Sequence, residues 1–530
     1  MIERIIIKNF KGIKDANIHF NPDKNVIVGN NGVGKSTLIE AISLALGVGL
    51  NQLEINQYLF HSSTWKSFSE SKVLPEILIE VYFSDRKQEE FCGKNNELRA
   101  YHYGLKLRIY CDEDYVPIFM ANKNSYKHIP CEFFKIERRW FSDDPVKQFR
   151  VPFIPFIIDS SSSSFSNRTN NIATRIIEHE LNDEEKVTVK GCLRSLRESF
   201  EREETIQTVN SALNEKTKEI SKDFKLTVDL STKMAWNTIL CPVFEDIPFH
   251  QIGLGSQCLI KTLLSLKKKD SNKTKILIIE EPESHLSHTK MYELLEQIGK
   301  FDGQLLVTTH NSYVANKLDL KNLILLGNKD GKLSQTPLDE EEDNLSFFTR
   351  VPNYPTLRIA LCNKAVLVEG PTDEMILLYY FKQQYGCHPF AKGIELITVG
   401  GLSFKHYTYI SKCLRKKTAV ITDNDSNDHN TIEAKYNGRE SSYIKVFTDK
   451  NPNLNTLEPS FVKANEDHIQ KLSGCIRKQQ KDNDNFDDLV DYMKKNKTEW
   501  AYRLICSGDN SFEVPPYIKD AVDWIISDEK

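Results

Sequence analysis

Short apolar runs bounded by glycines or acids alternate along this chain with segments whose apolar residues recur at helical spacing. Ile5-Ile6-Ile7, Val26-Ile27-Val28 and residues 77–83 predict strands, because they are short and rich in β-branched or aromatic residues. The segment STLIEAISLAL, which starts at Ser36, has the apolar spacing of a helix. The chain is therefore expected to begin with strands, a glycine-rich loop (residues 29–35) and a helix, in an α/β arrangement.

A second alternation of strands and helices begins near residue 365. AVLVE, IELITVGG and AVITDND contain strand-like apolar runs, and EMILLYYFKQQY between the first two is helix-like. Such alternation is typical of a parallel α/β unit. Between the two α/β regions, the charged residues 173–223 contain no proline and predict a helical insertion. Residues 467–530 predict a helical tail.

The glycine-rich loop carries the residues of a phosphate-binding loop. Residues 29–36 read GNNGVGKS and fit the pattern G-x-x-x-x-G-K-S/T between a strand and a helix. In such a loop backbone N–H groups bind phosphates, the lysine (Lys35) reaches the β and γ oxygens, and the hydroxyl (Ser36) ligates Mg²⁺. A chance glycine-rich turn is the alternative, and the flanking strand and helix argue against it. The residues expected to bind the nucleotide are Asn30, Asn31, Gly32, Gly34, Lys35, Ser36 and Thr37.

Two acids follow another apolar run, as a phosphate-binding site requires on a neighbouring strand. Glu280 and Glu281 come directly after Ile276–Ile279. We expect Glu280 to hold Mg²⁺ through water and Glu281 to polarise the attacking water. His310, at the end of the predicted strand over residues 304–310, is expected to contact the γ-phosphate. An ordinary strand with exposed acids, and a structural histidine, are the alternatives.

The stretch GLGSQ (residues 253–257) before a predicted helix completes a resemblance. Together with the P-loop, EEPESHL and TTH, it resembles ABC-type ATPases of the SMC and RecF kind. In those families this signature loop closes the nucleotide site of the opposite protomer. The resemblance implies that Gly255, Ser256 and Gln257 bind ATP in trans and that the chain forms a homodimer or a higher even oligomer. The wording departs from the usual LSGGQ, and Glu280 replaces the usual Asp.

Acids also follow the strands of the second α/β unit. Glu369 ends the first strand, Asp373 opens the next helix, and Asp423 and Asp425 follow the later strand. The carboxyl ends of parallel strands lie at one edge of a sheet, so Glu369, Asp423 and Asp425 are expected to meet there. Close carboxylates repel one another unless a cation lies between them, and oxygen ligands favour Mg²⁺ or Mn²⁺ over zinc.

Two other interpretations of ITDNDSND compete with a metal site. A calcium-binding EF-hand loop starting at Asp423 requires Gly at its sixth position and Glu at its twelfth, where this chain has Asp428 and Ala434. The calcium loop therefore fails. An Asx-rich turn remains open for this stretch taken alone.

Glu-Gly after one strand and Asp-x-Asp after a later one resemble the two motifs of the Toprim fold. An ABC-type ATPase followed by Toprim resembles the OLD (overcoming lysogenisation defect) family, which includes Gabija-type defence nucleases and retron-associated effectors. The resemblance implies an ATP-binding, Mg²⁺- or Mn²⁺-dependent DNA endonuclease or nickase. It also implies a role in anti-phage defence, with DNA and a partner such as a retron DNA–RNA or a helicase-like protein.

The resemblance assigns roles residue by residue. It implies that Glu369, Asp373, Asp423 and Asp425 are metal ligands, with Glu458 a weaker candidate. The lysine that assists the transition state is assigned to Lys497, with Lys494 and Lys495 as alternatives. In such sites two ions activate a water and stabilise the leaving oxygen, and a lysine offsets developing negative charge.

The amino-acid composition limits which kinds of binding site and which cellular location are expected. Lys+Arg is 70 and Asp+Glu is 74, so any nucleic-acid binding must come from a local basic patch. The 11 cysteines include no Cys-x-x-Cys pair, which fits neither a zinc site nor a disulfide framework. No apolar run is long enough to span a bilayer, and a cytoplasmic protein is expected.

Two other functions compete with the nuclease. An SMC/RecF-like DNA-binding ATPase with a non-cleaving Toprim unit is the main alternative. A strand-passing topoisomerase would need a nucleophilic tyrosine on a DNA-binding module, which the tail does not show. The expected domains are a first ATPase part (1–160), a helical insertion that could serve dimerisation (161–235), a second ATPase part (236–350), and a Toprim unit with a helical tail (360–530).

Overall fold

The structure is a computed structural model. It describes residues 1–50, 53–84, 86, 88–159, 181–216, 226–228, 242–267, 274–336, 347–350, 355–400, 404–425, 427, 441–477 and 484–527. Asp428, the serine run at residues 160–164 and parts of the predicted insertion lie outside these residues.

The strands, in chain order, are β1 Ile2–Phe10, β2 Ile13–His19, β3 Lys24–Val28, β4 Ile77–Phe83, β5 Cys92–Gly93, β6 His102–Cys111, β7 Phe134–Trp140, β8 Phe153–Asp159, β9 Val243–Phe244, β10 Ile247–Pro248, β11 Thr274–Glu280, β12 Gln304–Thr308, β13 Leu323–Lys329, β14 Lys332–Thr336, β15 Lys364–Val368, β16 Ile394–Thr398, β17 Lys417–Ile421 and β18 Ile444–Phe447.

The α-helices are α1 Lys35–Ala45, α2 Ser62–Ser71, α3 Val116–Ala121, α4 Asp183–Arg202, α5 Glu204–Lys216, α6 Leu254–Lys267, α7 His288–Gly299, α8 Ser312–Lys317, α9 Thr356–Leu361, α10 Pro371–Tyr385, α11 Phe404–Cys413, α12 Leu457–Ala464, α13 Ile469–Ile476, α14 Phe486–Lys495, α15 Lys497–Ser507 and α16 Pro516–Ile526.

These residues form two compact units. The first unit comprises Met1, Leu46–Val48 and Val146–Thr308, and the second comprises Ile2–Ala45, Gly49–Pro145 and Thr309–Lys530. The second unit therefore holds the P-loop, His310 and the Toprim acids. The first unit holds Glu280, Glu281 and the GLGSQ stretch.

The second unit opens with a mixed sheet whose strands run in the order β5-β6-β4-β1-β2-β14-β13-β3. The strands β1, β2, β4 and β6 are antiparallel, whereas β3 pairs in parallel with β13. Helix α1 packs against β1, β4 and β6. The isoleucines Ile5 and Ile7 of β1 are fully buried, so this sheet and helix share an apolar core.

The first unit contains the parallel strands β12-β11-β8, in that order, and a short β9–β10 hairpin. Ile276–Ile279 of β11 are fully or almost fully buried, as a strand covered on both faces requires. Helices α4 and α5 lie within the region predicted as a helical insertion, and a capping box at Asn182 and Glu185 starts α4. Its dimerisation role stays a prediction.

The Toprim sheet in the second unit is fully parallel, with strand order β16-β15-β17-β18. The tail helices share its core: Phe461, Trp500 and Ile525 belong to one buried cluster with Val366 and Ile421. Helix α16 packs against β15, β17 and β18. The predicted helical tail is thus confirmed as an integral part of the Toprim fold.

The structure changes one predicted boundary. The strand predicted to run from Gln304 to His310 ends at Thr308, because Thr309 donates its N–H to Ile27 instead of continuing the β11 ladder. No helix in the described part of the chain is both long enough and apolar enough to cross a bilayer.

Candidate functional sites

The P-loop is shaped by two glycines in the left-handed region. Gly32 has φ +76° and Gly34 has φ +116°, conformations that favour glycine. The Lys35 ammonium donates to the carbonyl oxygens of Gly29 (2.9 Å) and Asn30 (3.4 Å), and this side chain is only 7% exposed. The P-loop backbone therefore holds the lysine side chain, and its ammonium group lies against the loop that is expected to bind phosphates.

Neighbouring strands hold the P-loop in place. Asn328, near the end of β13, donates its side-chain amide to the Val33 carbonyl at 3.1 Å. A Cβ at Gly29 would lie 2.9 Å from the Leu326 carbonyl oxygen, so glycine is needed where the loop leaves β3. Asn30, Asn31, Gly32 and Ser36 are exposed, and Thr37 is half-buried. This leaves the loop surface open to a ligand.

His310 lies in the same unit as the P-loop. Its neighbour Thr309 donates its N–H to the carbonyl of Ile27 at 3.1 Å. Ile27 is the second-last residue of β3, the strand that leads into the P-loop. The His310 side chain is half-buried. The hydrogen bond fixes the backbone next to His310 against the strand that leads into the P-loop.

In the first unit, Glu280 ends β11 and Glu281 turns away from it. Glu281 has φ +47°, an uncommon conformation for a residue with a Cβ. Its N–H donates to Thr308 at 2.9 Å, and its carboxylate accepts a long hydrogen bond of 3.5 Å from Ser284. The role predicted for Glu281 stays a prediction.

The GLGSQ stretch opens helix α6. Gly255 packs directly on the EEPESHL segment, because a Cβ there would lie 2.3 Å from the His285 carbonyl oxygen. Ser256 accepts a hydrogen bond from Lys290 at 3.2 Å. Gln257 is 1% exposed and donates its amide to Ile252 at 2.8 Å, so its side chain supports the loop from inside. Gly255 is also buried, and Ser256 is the one residue of the three that is partly exposed.

The Toprim acids come from four separate elements of the second unit. Glu369 follows β15, Asp373 is in the first turn of α10, Asp423 follows β17, and Glu458 opens α12. Parallel pairing of β15 with β17 brings the ends of these two strands side by side. The predicted convergence of Glu369 and Asp423 is thus seen directly: the Asp423 N–H donates to the Glu369 carboxylate at 3.1 Å.

Hydroxyl and amide groups donate hydrogen bonds to the carboxylates of Glu369, Asp373 and Glu458. Glu369 accepts a second hydrogen bond, from the Thr422 hydroxyl at 2.5 Å. Asp373 accepts one from the Gly370 N–H at 3.0 Å, which caps its own helix. Glu458 is buried and accepts one from the Thr456 hydroxyl at 2.7 Å.

The acids repel one another electrostatically. Burial, and next the charges of Glu369 and Glu458, raise the pKa of Asp373 to about 7. Burial, followed by the charges of Asp373, Glu369 and Glu458, raises the pKa of Asp423 to about 8. Both carboxyls keep some exposure to solvent, but the surrounding protein and like charges disfavour their ionised forms. A cation among them would relieve this cost.

Asp425 lies at the margin of the group. It is exposed, has φ +50°, and adds the smallest of the four like-charge effects on Asp423. Its N–H donates to the Asn455 carbonyl at 3.3 Å. Asn424 between the two aspartates is 1% exposed, and its amide donates to the carbonyls of Asp449, Asn451 and Leu454 at 2.9–3.2 Å. The DND turn is therefore anchored to the loop after β18.

The three candidate lysines differ in position. Lys494, in the last turn of α14, reaches the Asn455 side chain at 3.5 Å, on the same loop that holds the DND turn. Lys495 and Lys497 are exposed and form no hydrogen bond or ion pair with the described residues. Of the three lysines, Lys494 is the one that contacts the loop holding the DND turn.

The donor set fits a hard divalent cation in kind, since every candidate ligand is a carboxylate oxygen. Within the described ranges, no three His, Cys, Asp or Glu side chains lie close enough to hold a metal ion as they stand. Glu369 and Glu458 instead accept hydrogen bonds from Thr422 and Thr456. Metal binding would require these carboxylates to turn toward a shared centre.

Some residues of this site were not predicted. Thr422, Asn424 and Asn455 position the acids, and Asp449 lies at the end of the neighbouring strand β18. Burial, then the charges of Asp373 and Asp423, raise the pKa of Tyr517 in α16 well above its usual value. Of these residues, only those within the TDND stretch could have been found from the local sequence pattern. The others come from segments distant along the chain.

Comparisons with known proteins agree with the two modules. The family model of the AAA ATPase domain matches residues 1–315, more than half of the chain. The model of the Overcoming lysogenization defect protein-like TOPRIM domain matches residues 361–425. The DNA replication and repair protein RecF of Streptococcus pneumoniae is 23% identical over 361 residues, which cover 63% of this chain and 98% of that protein.

Two solved structures show weaker similarity. The SMC head domain from Thermotoga maritima is 16% identical, with a TM-score of 0.30, and covers 64% of this chain and 99% of its own. The recombination mediator protein RecF-ATPrS of the RecFOR pathway is 11% identical, with a TM-score of 0.32, and covers 63% and 98%. These scores are too low to bear on the fold, which rests on the strand topology and the family matches. With an AAA ATPase domain followed by an OLD-like Toprim domain, this chain belongs to the OLD family of ATPase–Toprim proteins.

Proposed function

We propose that the chain is a metal-dependent DNA endonuclease or nickase attached to an ATPase. The observation that carries the proposal is the grouping of Glu369, Asp373, Asp423 and Glu458: burial, followed by the neighbouring like charges, raises the pKa of Asp373 to about 7 and that of Asp423 to about 8. A bound cation would offset this electrostatic cost. Toprim-type phosphodiester hydrolysis is the chemistry that such a cation serves.

The roles of the residues follow from their positions. Glu369, Asp373, Asp423 and Glu458 would hold Mg²⁺ or Mn²⁺, with Asp425 as a ligand at the exposed margin. When bound, the metal supplies Lewis-acid activation of water and stabilisation of the leaving oxygen. Thr422 would keep Glu369 oriented, as hydrogen-bond partners of metal ligands do.

A lysine is proposed to offset the charge that develops on the phosphate. Lys494 of α14 is our stronger candidate of the three lysines, and its contact with Asn455, whose carbonyl accepts the Asp425 N–H, supports this choice. Lys497 remains the alternative that the family resemblance implies.

ATP binding is proposed for the P-loop. Asn30, Asn31, Gly32 and Gly34 would give backbone contacts to the phosphates, Lys35 would bind their oxygens, and Ser36 would ligate Mg²⁺, with Thr37 next to it. The parts assigned to Glu280, Glu281, His310, Gly255, Ser256 and Gln257 stay predictions. A homodimer follows from the signature-loop assignment, and light scattering that shows monomers with and without ATP would contradict it.

DNA is proposed as the substrate, and the similarity to a protein named as a DNA replication and repair protein supports this choice. The cytoplasm is proposed as the location. Anti-phage defence, with a retron DNA–RNA or a helicase-like partner, is proposed from the family resemblance alone.

The test compares cleavage of supercoiled plasmid by the parent and by Asp423→Asn. We expect the parent to nick or cut the plasmid with Mg²⁺ or Mn²⁺ and to stop with EDTA. The variant should lose cleavage but keep ATP hydrolysis and its fold. Asp520→Asn, which removes an exposed acid of α16 instead, is the matched control and should cut at the parent rate.

A second candidate is an SMC/RecF-like DNA-binding ATPase with a non-cleaving Toprim unit. It is favoured by the finding that no three potential ligands in the described residues converge tightly enough to hold a metal as they stand. A folded parent protein that hydrolyses ATP and binds DNA, but leaves plasmid intact with every divalent metal tested, would select this candidate over the nuclease.

A further inference from the structure

A turn of the ATPase lobe brings lysines from four strands together. The β13–β14 hairpin turns at Asp330 and Gly331, with φ +54° and +82°. The Gly331 carbonyl accepts the Lys14 N–H at 2.7 Å, and a Cβ at Gly331 would lie 2.9 Å from the Lys14 Cβ. The hairpin is therefore docked against the start of β2, and its lysines lie next to Lys14.

The strand register extends this group across one face of the sheet. Lys329 pairs with Lys332 across the hairpin, Lys332 pairs with Asp15 of β2, and Asp15 pairs with Lys8 of β1. Directly paired residues project from the same face of a sheet. The row Lys329, Lys332, Asp15 and Lys8 thus crosses four strands on one face. Lys14 precedes Asp15 in β2, where neighbouring residues project to opposite faces, but it lines the same cavity as the row.

This row borders an open cavity of about 560 Å³, which Lys14, Asp330 and Ser334 also line. Lys14, Lys329 and Lys332 are exposed, and none of the three forms an ion pair with a described residue. Lys8 differs from them, since it pairs with Glu97 at 2.5 Å. Three lysines therefore keep their charges available in a chain whose net charge is -4.

We propose that Lys14, Lys329 and Lys332 bind the phosphate backbone of duplex DNA. The proposal rests on the proposed DNA function and assigns part of the substrate contact to the lysines of β2, β13 and β14. Ammonium groups bind phosphates as point charges, and such contacts position a duplex without reading its sequence. A local basic row of this kind meets the need for a binding patch in a chain of slightly acidic net charge.

The lining residues favour a duplex backbone over other ligands. None of the seven lining side chains is aromatic, so the surface offers no platform for stacking unpaired bases. None is a large apolar residue, which a stable protein interface would need at its centre. Asp15 and Asp330 reduce the local positive charge and point to a few phosphate contacts rather than to a long electrostatic channel.

The experiment measures binding of a fluorescent duplex of mixed sequence by anisotropy, in EDTA, over a series of salt concentrations. The variant carries Lys14→Gln and Lys332→Gln. Each lost phosphate contact lowers the slope of log Kd against log salt by about one, so we expect the slope to fall by about two. The Kd should rise about tenfold at moderate salt, equally for duplexes of different sequence.

Lys300→Gln with Lys382→Gln is the matched control, since it removes two exposed charges elsewhere and should leave Kd and slope unchanged. Thermal melting and ATP hydrolysis of both double variants should match the parent. If the Lys14/Lys332 variant binds DNA as tightly as the control variant, the proposal is wrong. The lysines would then contact an acidic protein or solvent alone. If the parent protein cuts plasmid in that case, the proposed nuclease function still stands. If the parent protein neither binds nor cuts DNA, both the nuclease function and the DNA-binding proposal are wrong.

Discussion

The Thr422 hydroxyl donates to the Glu369 carboxylate at 2.5 Å and so joins the ends of two parallel Toprim strands. The neighbouring Asp423 N–H donates to the same oxygen at 3.1 Å. Glu369 is therefore oriented by the residue that precedes Asp423 and by the backbone of Asp423 itself. The geometry of one proposed metal ligand depends on the turn that carries the other.

Thr422→Val should weaken the nuclease without unfolding it. Valine keeps the shape but removes the hydroxyl, and loss of a group that orients a metal ligand costs about tenfold to a hundredfold in metal affinity or activity. Cleavage at fixed Mg²⁺ should fall, and more Mg²⁺ should be needed for half the maximal rate. Thr418→Val is the control, because Thr418 is buried in β17, the strand that Thr422 follows, but its hydroxyl donates to Ser411. Equal metal requirements in both variants would contradict the prediction.

The metal-free protein should lose stability as the pH rises. The folded-state pKa values of Asp373 (about 7) and Asp423 (about 8) lie above their usual 3.8, so the folded state holds protons that the unfolded chain releases. Their contribution to the free energy of unfolding is complete below about pH 4 and is lost as the pH rises through 7 to 8. In EDTA, the melting temperature should drop less between pH 5 and pH 8.5 for Asp423→Asn than for the parent. An equal drop would show that Asp423 does not titrate in this range.

Lys494→Ala should reduce plasmid cleavage by about a hundredfold if its ammonium offsets charge on the scissile phosphate. Lys497→Ala should cut near the parent rate, since Lys497 contacts no described polar group. The two lysines are exposed and close along the chain, so each variant serves as the control for the other. If Lys497→Ala cuts plasmid more slowly than Lys494→Ala, the charge-offsetting lysine is Lys497.

Local patterns predicted the strands and helices that carry the chemistry. Alternating apolar runs, together with the glycines and acids that end them, located β3, β11, β15 and β17 from short segments. The β12 boundary was wrong because Thr309 finds its partner in β3, far away in sequence. Hydrogen bonds between distant segments leave no trace in local periodicity.

The same limit applies to the candidate site. Glu369, Asp373 and Asp423 were predictable because each stands at the end of an apolar strand or at the start of a helix. Asn455 and Tyr517 were not predictable from local pattern. Asn455 meets the DND turn through a hydrogen bond from the Asp425 N–H, and Tyr517 joins the Toprim core through packing of the tail. The ranking of Lys494 over Lys497 likewise depends on where α14 ends relative to that loop.

Lys35→Ala should weaken ATP binding. Loss of a charge-assisted contact to the phosphates costs about 1.5–3 kcal/mol, which corresponds to about a tenfold to a hundredfold rise in Kd. Ser43→Ala, in the same helix, removes a hydroxyl that donates to the Ile39 carbonyl and should leave the nucleotide affinity unchanged. Titration with a fluorescent ATP analogue measures both. Parent-like affinity of a folded Lys35→Ala protein would remove the P-loop assignment.

Gly255→Ala should destabilise the first unit, although alanine is the better helix former. In a helix, replacement of glycine by alanine favours folding by up to about 1 kcal/mol. Gly253 lies just before α6, and Gly253→Ala is the control that should change stability little, because the added Cβ would have no close neighbour within 4 Å. At Gly255 the added Cβ would lie 2.3 Å from the His285 carbonyl oxygen. Helix α6 and the EEPESHL segment must then separate, at a cost of about 1–3 kcal/mol. Because Glu281 belongs to that segment, ATP hydrolysis should fall together with the free energy of unfolding.

Urea unfolding and ATPase rates of the two alanine variants measure this difference. A Gly255→Ala protein as stable and active as Gly253→Ala would show that the contact with His285 is not retained in solution.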